Sequence, residues 1–267
     1  MVKVKKVYFR KLPTKKLKVK YEDKYVAFID VLGFKEKLNG SVNDLEAYFQ
    51  TVLDEIQKLQ TSNSKKQLDF ILLSDAIILT FPKSNSRVSE LAELCIAIGK
   101  IQWRLCQIGF WLRGAITFGK IFIDRDRSIV VGPALAQAYK LEGLALQPRV
   151  ILDPKILGQL GKNRSTLIQE INQISQSSSY GARVLFHSGV NEYNFEILDD
   201  AIFVDYLDKL NFCPHVDGSV VAEMIGLGLQ DGQQNYTKYR WLVAYALASL
   251  RRSDDEEHYL LYELILL

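Results

Sequence analysis

Phe28-Ile29-Asp30-Val31-Leu32-Gly33-Phe34 and Leu72-Leu73-Ser74-Asp75-Ala76-Ile77 are the two stretches on which the reading of this chain turns. Each sets one carboxylate inside a strongly apolar, β-prone run. A lone Asp in such a run is costly to bury without a partner. Two of them, each at a strand end or tight turn, suggest a shared divalent cation; turn or capping carboxylates are the plainer alternative. Residues 25–30 (YVAFID) form a short apolar run suited to a buried central strand. Gly33 then opens a tight turn and lets a ligand approach the backbone.

Working outward, Ser41 suits a helix N-cap, with Asp44 at the third helical position. Leu45, Phe49, Val52, Leu53, Ile56 and Leu59 follow at helical spacing. Residues 68–73 and 76–81 are two apolar runs meeting at Ser74-Asp75, which reads as a hairpin. Leu91, Leu94, Cys95, Ile98, Ile101, Leu105 and Ile108 predict a long amphipathic helix. Residues 111–118 and 120–123 read as two strands separated by Gly119, and residues 129–131 as a third. Pro133 opens a helix running to Glu142, and residues 149–152 make a last short strand. The order begins βαββαβ, the split-βαβ or ferredoxin-like palm of an α+β fold. There the first strand lies beside the hairpin. Asp30 and Asp75, 45 positions apart, can then meet.

Beyond residue 154 the pattern changes. Residues 165–179 read as polar and loop-like after a helical start. The segment FEIL reads as a strand before Asp199 and Asp200, and residues 220–229 and 236–252 are helical by periodicity. Asp199, Asp200 and Asp205 read as turn carboxylates or caps, and Tyr236, Tyr239 and Trp241 as a core or interface stripe. The expected organisation is a basic arm (1–23), a palm domain (24–154) and an α-rich extension packed on it (155–267).

Bulk properties exclude several classes. A 48% hydrophobic, 24% charged chain of 267 residues is ordinary soluble composition, able to bury a sizeable core. The net charge of +3 carries no general nucleic-acid signature. The basicity is uneven, because residues 1–20 hold nine Lys/Arg and no acid. Such an arm is either a solvated segment or a contact for nucleic acid, acidic lipid or a partner. No apolar run reaches the roughly 18 residues of a membrane span, and the N-terminus lacks a signal-peptide core. Cys95, Cys106 and Cys213 are odd in number and lack metal-ligand spacing. His187, His215 and His258 are scattered, against a His-based zinc site or a compact triad. These features point to the cytoplasm, with no membrane and no nucleic acid expected as partners.

The FIDVLGF segment resembles the metal-binding segment of class III nucleotidyl cyclase catalytic domains, with Asp30, Val31, Gly33 and Phe34 in register. LLSDAIIL is similar to the segment carrying that family's second metal Asp, with Ser74 in place of Gly. Leu112-Arg113 to Gly119 resembles the strand after its long helix. Gly132, Ala138, Leu141 and Glu142 fit its last palm helix. The likeness covers roughly residues 24–152.

It implies two Mg2+ or Mn2+ ions held by Asp30, Asp75 and the Val31 carbonyl, and a phosphate turn of Leu32, Gly33 and Phe34. Ile71 and Ile129 would line the nucleotide pocket; Phe28, which alternates with Asp30 and so shares its sheet face, would line that pocket or the core. Arg113, Lys140 and Arg149 are candidates for phosphate contacts, with pairing to an acid beside the sheet the equal alternative for Arg113 and plain surface the alternative for Arg149. Lys35 and Tyr139 are nearby candidates with bland alternatives, a solvated helix start and packing. The family shares each site across a homodimer, so Lys140, as a catalytic cation, would face the partner's aspartates.

The departures are informative. The family's transition-state Asn and Arg are replaced here by Ala136 and Lys140, and its purine-reading positions by Ile71 and Ile129. Ala136 can donate nothing, and Lys keeps charge without the planar fork. The chain therefore most resembles the stand-alone pyrimidine cyclases of bacterial Pycsar anti-phage systems. Those make cyclic UMP or cyclic CMP for a separate effector protein. Two rivals stay open: a palm enzyme making cyclic dinucleotides, and a catalytically inactive nucleotide-sensing or assembly module.

Overall fold

The computed structural model describes residues 14, 16–62, 68–82, 87–187, 200–211, 218–230 and 236–250. The FEIL segment, Asp199, Cys213, His215 and His258 lie outside the described residues.

Strand β1 (Glu22–Val31) alternates strictly. Tyr25, Ala27, Ile29 and Val31 are all at most 2% exposed on one face, while Val26, Phe28 and Asp30 take the other. Being apolar on both faces, it can only be central. It pairs antiparallel with β3 (Ala76–Pro82) on one edge and with β4 (Leu112–Asp124) on the other. Strand β2 (Asp69–Leu73) closes the hairpin against β3. The helices α1 (Phe34–Leu38) and α2 (Val42–Ser62) join β1 to β2, and α3 (Arg87–Cys106) joins β3 to β4. The strand order β2-β3-β1-β4 is that of the expected α+β palm.

The sheet continues past β4. Strand β5 (Ile129–Val131) pairs with the far end of β4, and α4 (Pro133–Ala145) follows. Strand β6 (Val150–Leu152) lies parallel to the near end of β4. Next come α5 (Lys155–Leu160), α6 (Arg164–Gln176), β7 (Leu185–His187) and β8 (Ile202–Val204), giving the edge order β6-β8-β7. After a 3-10 turn (Leu207–Asn211) come α7 (Ser219–Gln230) and α8 (Tyr236–Leu250). The residues after 154 thus add strands to the sheet as well as helices.

One register row crosses seven of the eight strands: Ile71, Ile78, Phe28, Ala115, Ile151, Phe203 and Phe186. Directly paired residues share a face, so this row defines the front. Behind it, residues of α2, α3, α5 and α6 and the back of the sheet form one large apolar core. In front, Ala115, Ile151 and Phe203 are buried with residues of α7 and α8, including Ala222, Trp241 and Tyr245. Over β2, β3 and β1 the front is thinner. Phe28 and Ile71 stay half-buried, beside Ala134 and Leu135 of α4. One half of the front is a deep core; the other is closed only by the small cluster of Val26, Ile78, Ile121 and Ala134 and leaves a half-open margin at Phe28 and Ile71.

Four local expectations are corrected. Residues 111–123 are not two strands: β4 is continuous, because ten of its residues pair with the whole of β1 and Gly119 lies opposite Lys24. Residues 165–179 are largely helix α6. The Asn163 side chain accepts from the Thr166 amide at 2.9 Å, and Leu167, Ile171 and Ser175 form its buried stripe. On α2 the buried position belongs to Tyr48, whereas Leu53 is 44% exposed. The long helix α3 ends at Cys106, and Ile108 is 37% exposed in the turn before Gly109.

Arg149 is the largest correction. It is 1% exposed, donates from Nε to the Ala145 carbonyl at 3.1 Å, and lies over the Phe203 and Trp241 rings. A cation so placed is part of the core and out of reach of a phosphate at the half-open margin. Asp205 is equally internal, accepting from the Tyr245 hydroxyl at 2.6 Å.

Candidate active site

The hairpin turn brings Asp75 to Asp30. The two carboxyls come within hydrogen-bonding reach at the end of β1, on the front face, the protonated Asp30 donating to Asp75. Burial, the charges of Asp75 and Glu142 and that hydrogen bond raise the Asp30 carboxyl from 3.8 to about 6, against the opposing pull of Arg113. Tyr48, wholly buried on α2, points its hydroxyl at the Asp75 carbonyl, 3.5 Å away. Burial and the charges of Asp75 and Asp30 push its phenol upward.

Arg113 stands directly opposite Asp30 in the β1–β4 register. Its Nε is engaged by the Glu142 carboxylate, which projects from the buried stripe Ala134, Ala138, Glu142 and Ala145 of α4. Arg113 thus pairs with Glu142 and acts at longer range on Asp30, which has Asp75 beside it. Oxygen donors with excess negative charge suit a hard divalent cation such as Mg2+ or Mn2+, so the residues present fit the expected ions. Among the described residues no group of three or more His, Cys, Asp or Glu forms a ready-made metal cage. The remaining ligands would come from the Val31 backbone, water and substrate oxygens, the usual habit of Mg2+.

Gly33 follows with φ of 70°, the left-handed region that favours glycine, and its carbonyl accepts from the Lys37 amide at 3.2 Å. Leu32 is tied back by its amide to the Trp111 carbonyl at 2.9 Å. The Phe34 ring is in the rear core at 5.8 Å from Tyr48, so only its backbone is left to meet a ligand. Lys35 is exposed.

Phe28 sits one step along the front from Asp30 and meets Tyr139 edge-to-face at 5.3 Å. Tyr139 is 64% exposed, so its packing covers only one side of the ring. Ile71 is two strands away in the Phe28 row.

Two expected site residues are not brought to this cluster within one chain. Ile129 pairs with Asp124, nine positions along β4 from Ala115, about 30 Å of strand. Lys140 is exposed on α4, as is Ala136 one turn before it, and neither is among the groups acting on Asp30.

Tyr48 and Glu142 are the partners that the sequence reading did not assign. Tyr48 was recoverable from α2, since it lies one turn from both Leu45 and Val52. Glu142 was in register with the resembled helix but carried no role, because a carboxylate late in a helix usually faces water.

Elsewhere, a polar groove of about 570 Å3 lies at the opposite end of the sheet, lined by Lys18, Lys20, Lys24, Asp69, Asp124 and Arg127 among others. Its carboxylates are matched, Asp69 by Lys24 at 3.1 Å and Asp124 by Arg127 at 2.6 Å. Lys24 is six residues before Asp30, about 20 Å away along β1. Among the described residues no helix is long and apolar enough to cross a membrane.

No family model and no curated protein matches the sequence. Among solved structures, the chain is similar to the adenylyl cyclase CyaB from P. aeruginosa, at 13% identity and a TM-score of 0.47 over 70% of this chain and 95% of that one. It is similar to the guanylyl cyclase Cya2 at 14% identity and a TM-score of 0.43, over 70% and 93% of the two chains. A monomeric guanylyl cyclase domain of the RhoGC fusion protein from the aquatic fungus Blastocladiella emersonii matches at 11% identity and 0.43, over 70% and 98%. Likeness of this degree speaks neither to substrate nor to activity.

Proposed function

We propose that this chain is a metal-dependent nucleotidyl cyclase. It would convert a nucleoside triphosphate, UTP or CTP in the first instance, to a 3′,5′-cyclic mononucleotide and pyrophosphate. The observation that carries the reading is the Asp30–Asp75 pair, closed by the hairpin at the edge of a half-open apolar face, with Asp30 raised to about 6. A like-charge pair held this way is strained in the absence of a cation and relieved by one.

Asp30, Asp75 and the Val31 carbonyl would hold two Mg2+ or Mn2+ ions. When bound, such ions activate the attacking hydroxyl and neutralise the phosphates. The chain's own residues do the rest. With the Leu32 amide committed to the Trp111 carbonyl, the turn would offer the Gly33 and Phe34 amides to the triphosphate, and Arg113 would add a positive charge beside it. Phe28 and Ile71 floor the base pocket. An apolar floor offers no hydrogen bond to a purine edge, so the usual readout of adenine or guanine is missing from these positions. Lys140 and Ile129, remote from the pair in one chain, would serve the site of a second copy in a homodimer. The product would then act as a signal for a separate effector, in bacterial anti-phage defence.

Incubating the purified protein with Mn2+ and each of the four nucleoside triphosphates, with products identified by mass spectrometry, tests the reading. A cyclic mononucleotide lost on Asp30→Asn supports it. Linked dinucleotides would favour the rival palm enzyme, and no turnover of any substrate would leave a binding module.

A further inference from the structure

We propose that Glu142 is a positioning residue whose task is to hold Arg113 away from Asp30, so that the Asp30–Asp75 pair stays open to a divalent cation. The inference rests on the metal reading of that pair given above. It starts from an anomaly of pairing. Arg113 and Asp30 are direct partners across β1 and β4, on the same face. Residues so placed have Cβ atoms about 4.5–5.5 Å apart, and opposite charges there normally close on each other. Among the described residues no ion pair joins them. Asp30 instead lies within hydrogen-bonding reach of Asp75, to which it donates when protonated, and Arg113 turns its Nε to Glu142.

Burial explains the choice. The Glu142 side chain is 9% exposed and the Arg113 side chain 24%, whereas Asp30 is only half-buried. A buried carboxylate needs its cation more than a half-solvated one, because Coulomb attraction grows as the effective dielectric falls and an unpaired buried charge is penalised. Helix geometry puts Glu142 there: it continues the stripe of Ala134 and Ala138 at four-residue steps, the face of α4 turned to the protein interior. α4 therefore removes a competitor from the cation site. The same arrangement keeps the guanidinium within electrostatic reach of Asp30, where it still opposes the rise of that carboxyl. A bare carboxylate pair would lack that cation; an Arg113–Asp30 pair would have one aspartate already neutralised.

The test is Mn2+ affinity of the full chain, read without nucleotide by the electron paramagnetic resonance signal of free Mn2+. Glu142→Gln frees the guanidinium to close on Asp30. It should weaken Mn2+ binding by roughly tenfold, the scale of a lost outer partner at a metal site. Adding Arg113→Leu to Glu142→Gln removes the competitor and should restore wild-type affinity. Arg113→Leu alone should bind Mn2+ at least as well as wild type, and serves if Glu142→Gln fails to fold. Thermal melts by circular dichroism accompany each variant. Unchanged affinity in Glu142→Gln overturns the proposal, as does a loss that the double variant does not recover, which would make the pair a plain strut. Absence of Mn2+ binding by the wild-type chain itself overturns the metal reading beneath it, a result separate from either.

Discussion

Replacing Asp30 by Asn should make the metal-free protein more stable at neutral pH. The folded state raises the Asp30 carboxyl from 3.8 to about 6. At full strength that difference corresponds to about 3 kcal/mol. Asp30 is half-buried, so solvent screening takes roughly half, leaving ~1.5 kcal/mol. The sign follows from proton linkage. A carboxyl raised on folding binds its proton more tightly in the folded state. Its penalty is therefore absent below the unfolded value, grows as pH climbs from about 4 to 6, and is complete above that range. At pH 5 about half of it is present, so the Asn variant should lead by roughly 0.8 kcal/mol there and by ~1.5 kcal/mol at pH 8. Urea titrations followed by Trp fluorescence, in chelator-treated buffer, read both values from the midpoint at constant slope. Mn2+ should then stabilise the wild type and not the variant, closing the gap, since a ligand bound only by the folded state adds about 2.7 kcal/mol at a hundredfold excess over its Kd. An Asn variant no more stable than wild type at pH 8, or a lead that does not shrink at pH 5, would refute the strained-pair account.

Three further outcomes follow from backbone and core geometry. A Cβ at Gly114 would stand 2.4 Å from the Phe28 carbonyl oxygen and 2.9 Å from the Ile29 Cα. Gly114→Ala should thus cost about 1–3 kcal/mol by forcing β1 and β4 apart, seen as a lowered urea midpoint, with weaker Mn2+ binding because Asp30 is on the displaced strand. Ser74 holds φ of 57° at the hairpin tip; Ser74→Gly should stabilise by about 0.5–1 kcal/mol, the left-handed strain less the added unfolded-state freedom, measured in the same titration. Tyr245 donates to Asp205 at 2.6 Å and accepts from the Leu207 amide at 3.2 Å. Tyr245→Phe should cost about 2–3 kcal/mol, leaving buried polar groups short of a partner, and a melt within 1 °C of wild type, roughly the shift expected of a few tenths of a kcal/mol in a chain this size, would contradict it.

The palm was legible because its signals are local. Strict alternation in β1, the Ser74-Asp75 hairpin and the long stripe of α3 each imply their element from a short window, and the order of elements brings Asp30 beside Asp75. The failures share a cause, which is that tertiary partners override residue type. Gly119 reads as a break until β1 is seen to run beside it. The polar run of α6 hides three inward positions behind a solvated face. Arg149 reads as a phosphate contact or plain surface because nothing in its own window reveals Phe203 and Trp241 waiting above it. Glu142 was invisible as Arg113's holder for the same reason: their meeting is a fact about α4 against β4.

The front row through Ile71, Ile78, Phe28 and Ala115 lies one step from the row of Asp30 and Arg113, about 6.6 Å along the strands. The two rows are braced separately, the first by apolar contact and the second by charge. In engineering terms they are independent dials. The half-exposed side chain at position 71 offers a place to retune what this face accepts, without disturbing the carboxylate pair that neighbours it.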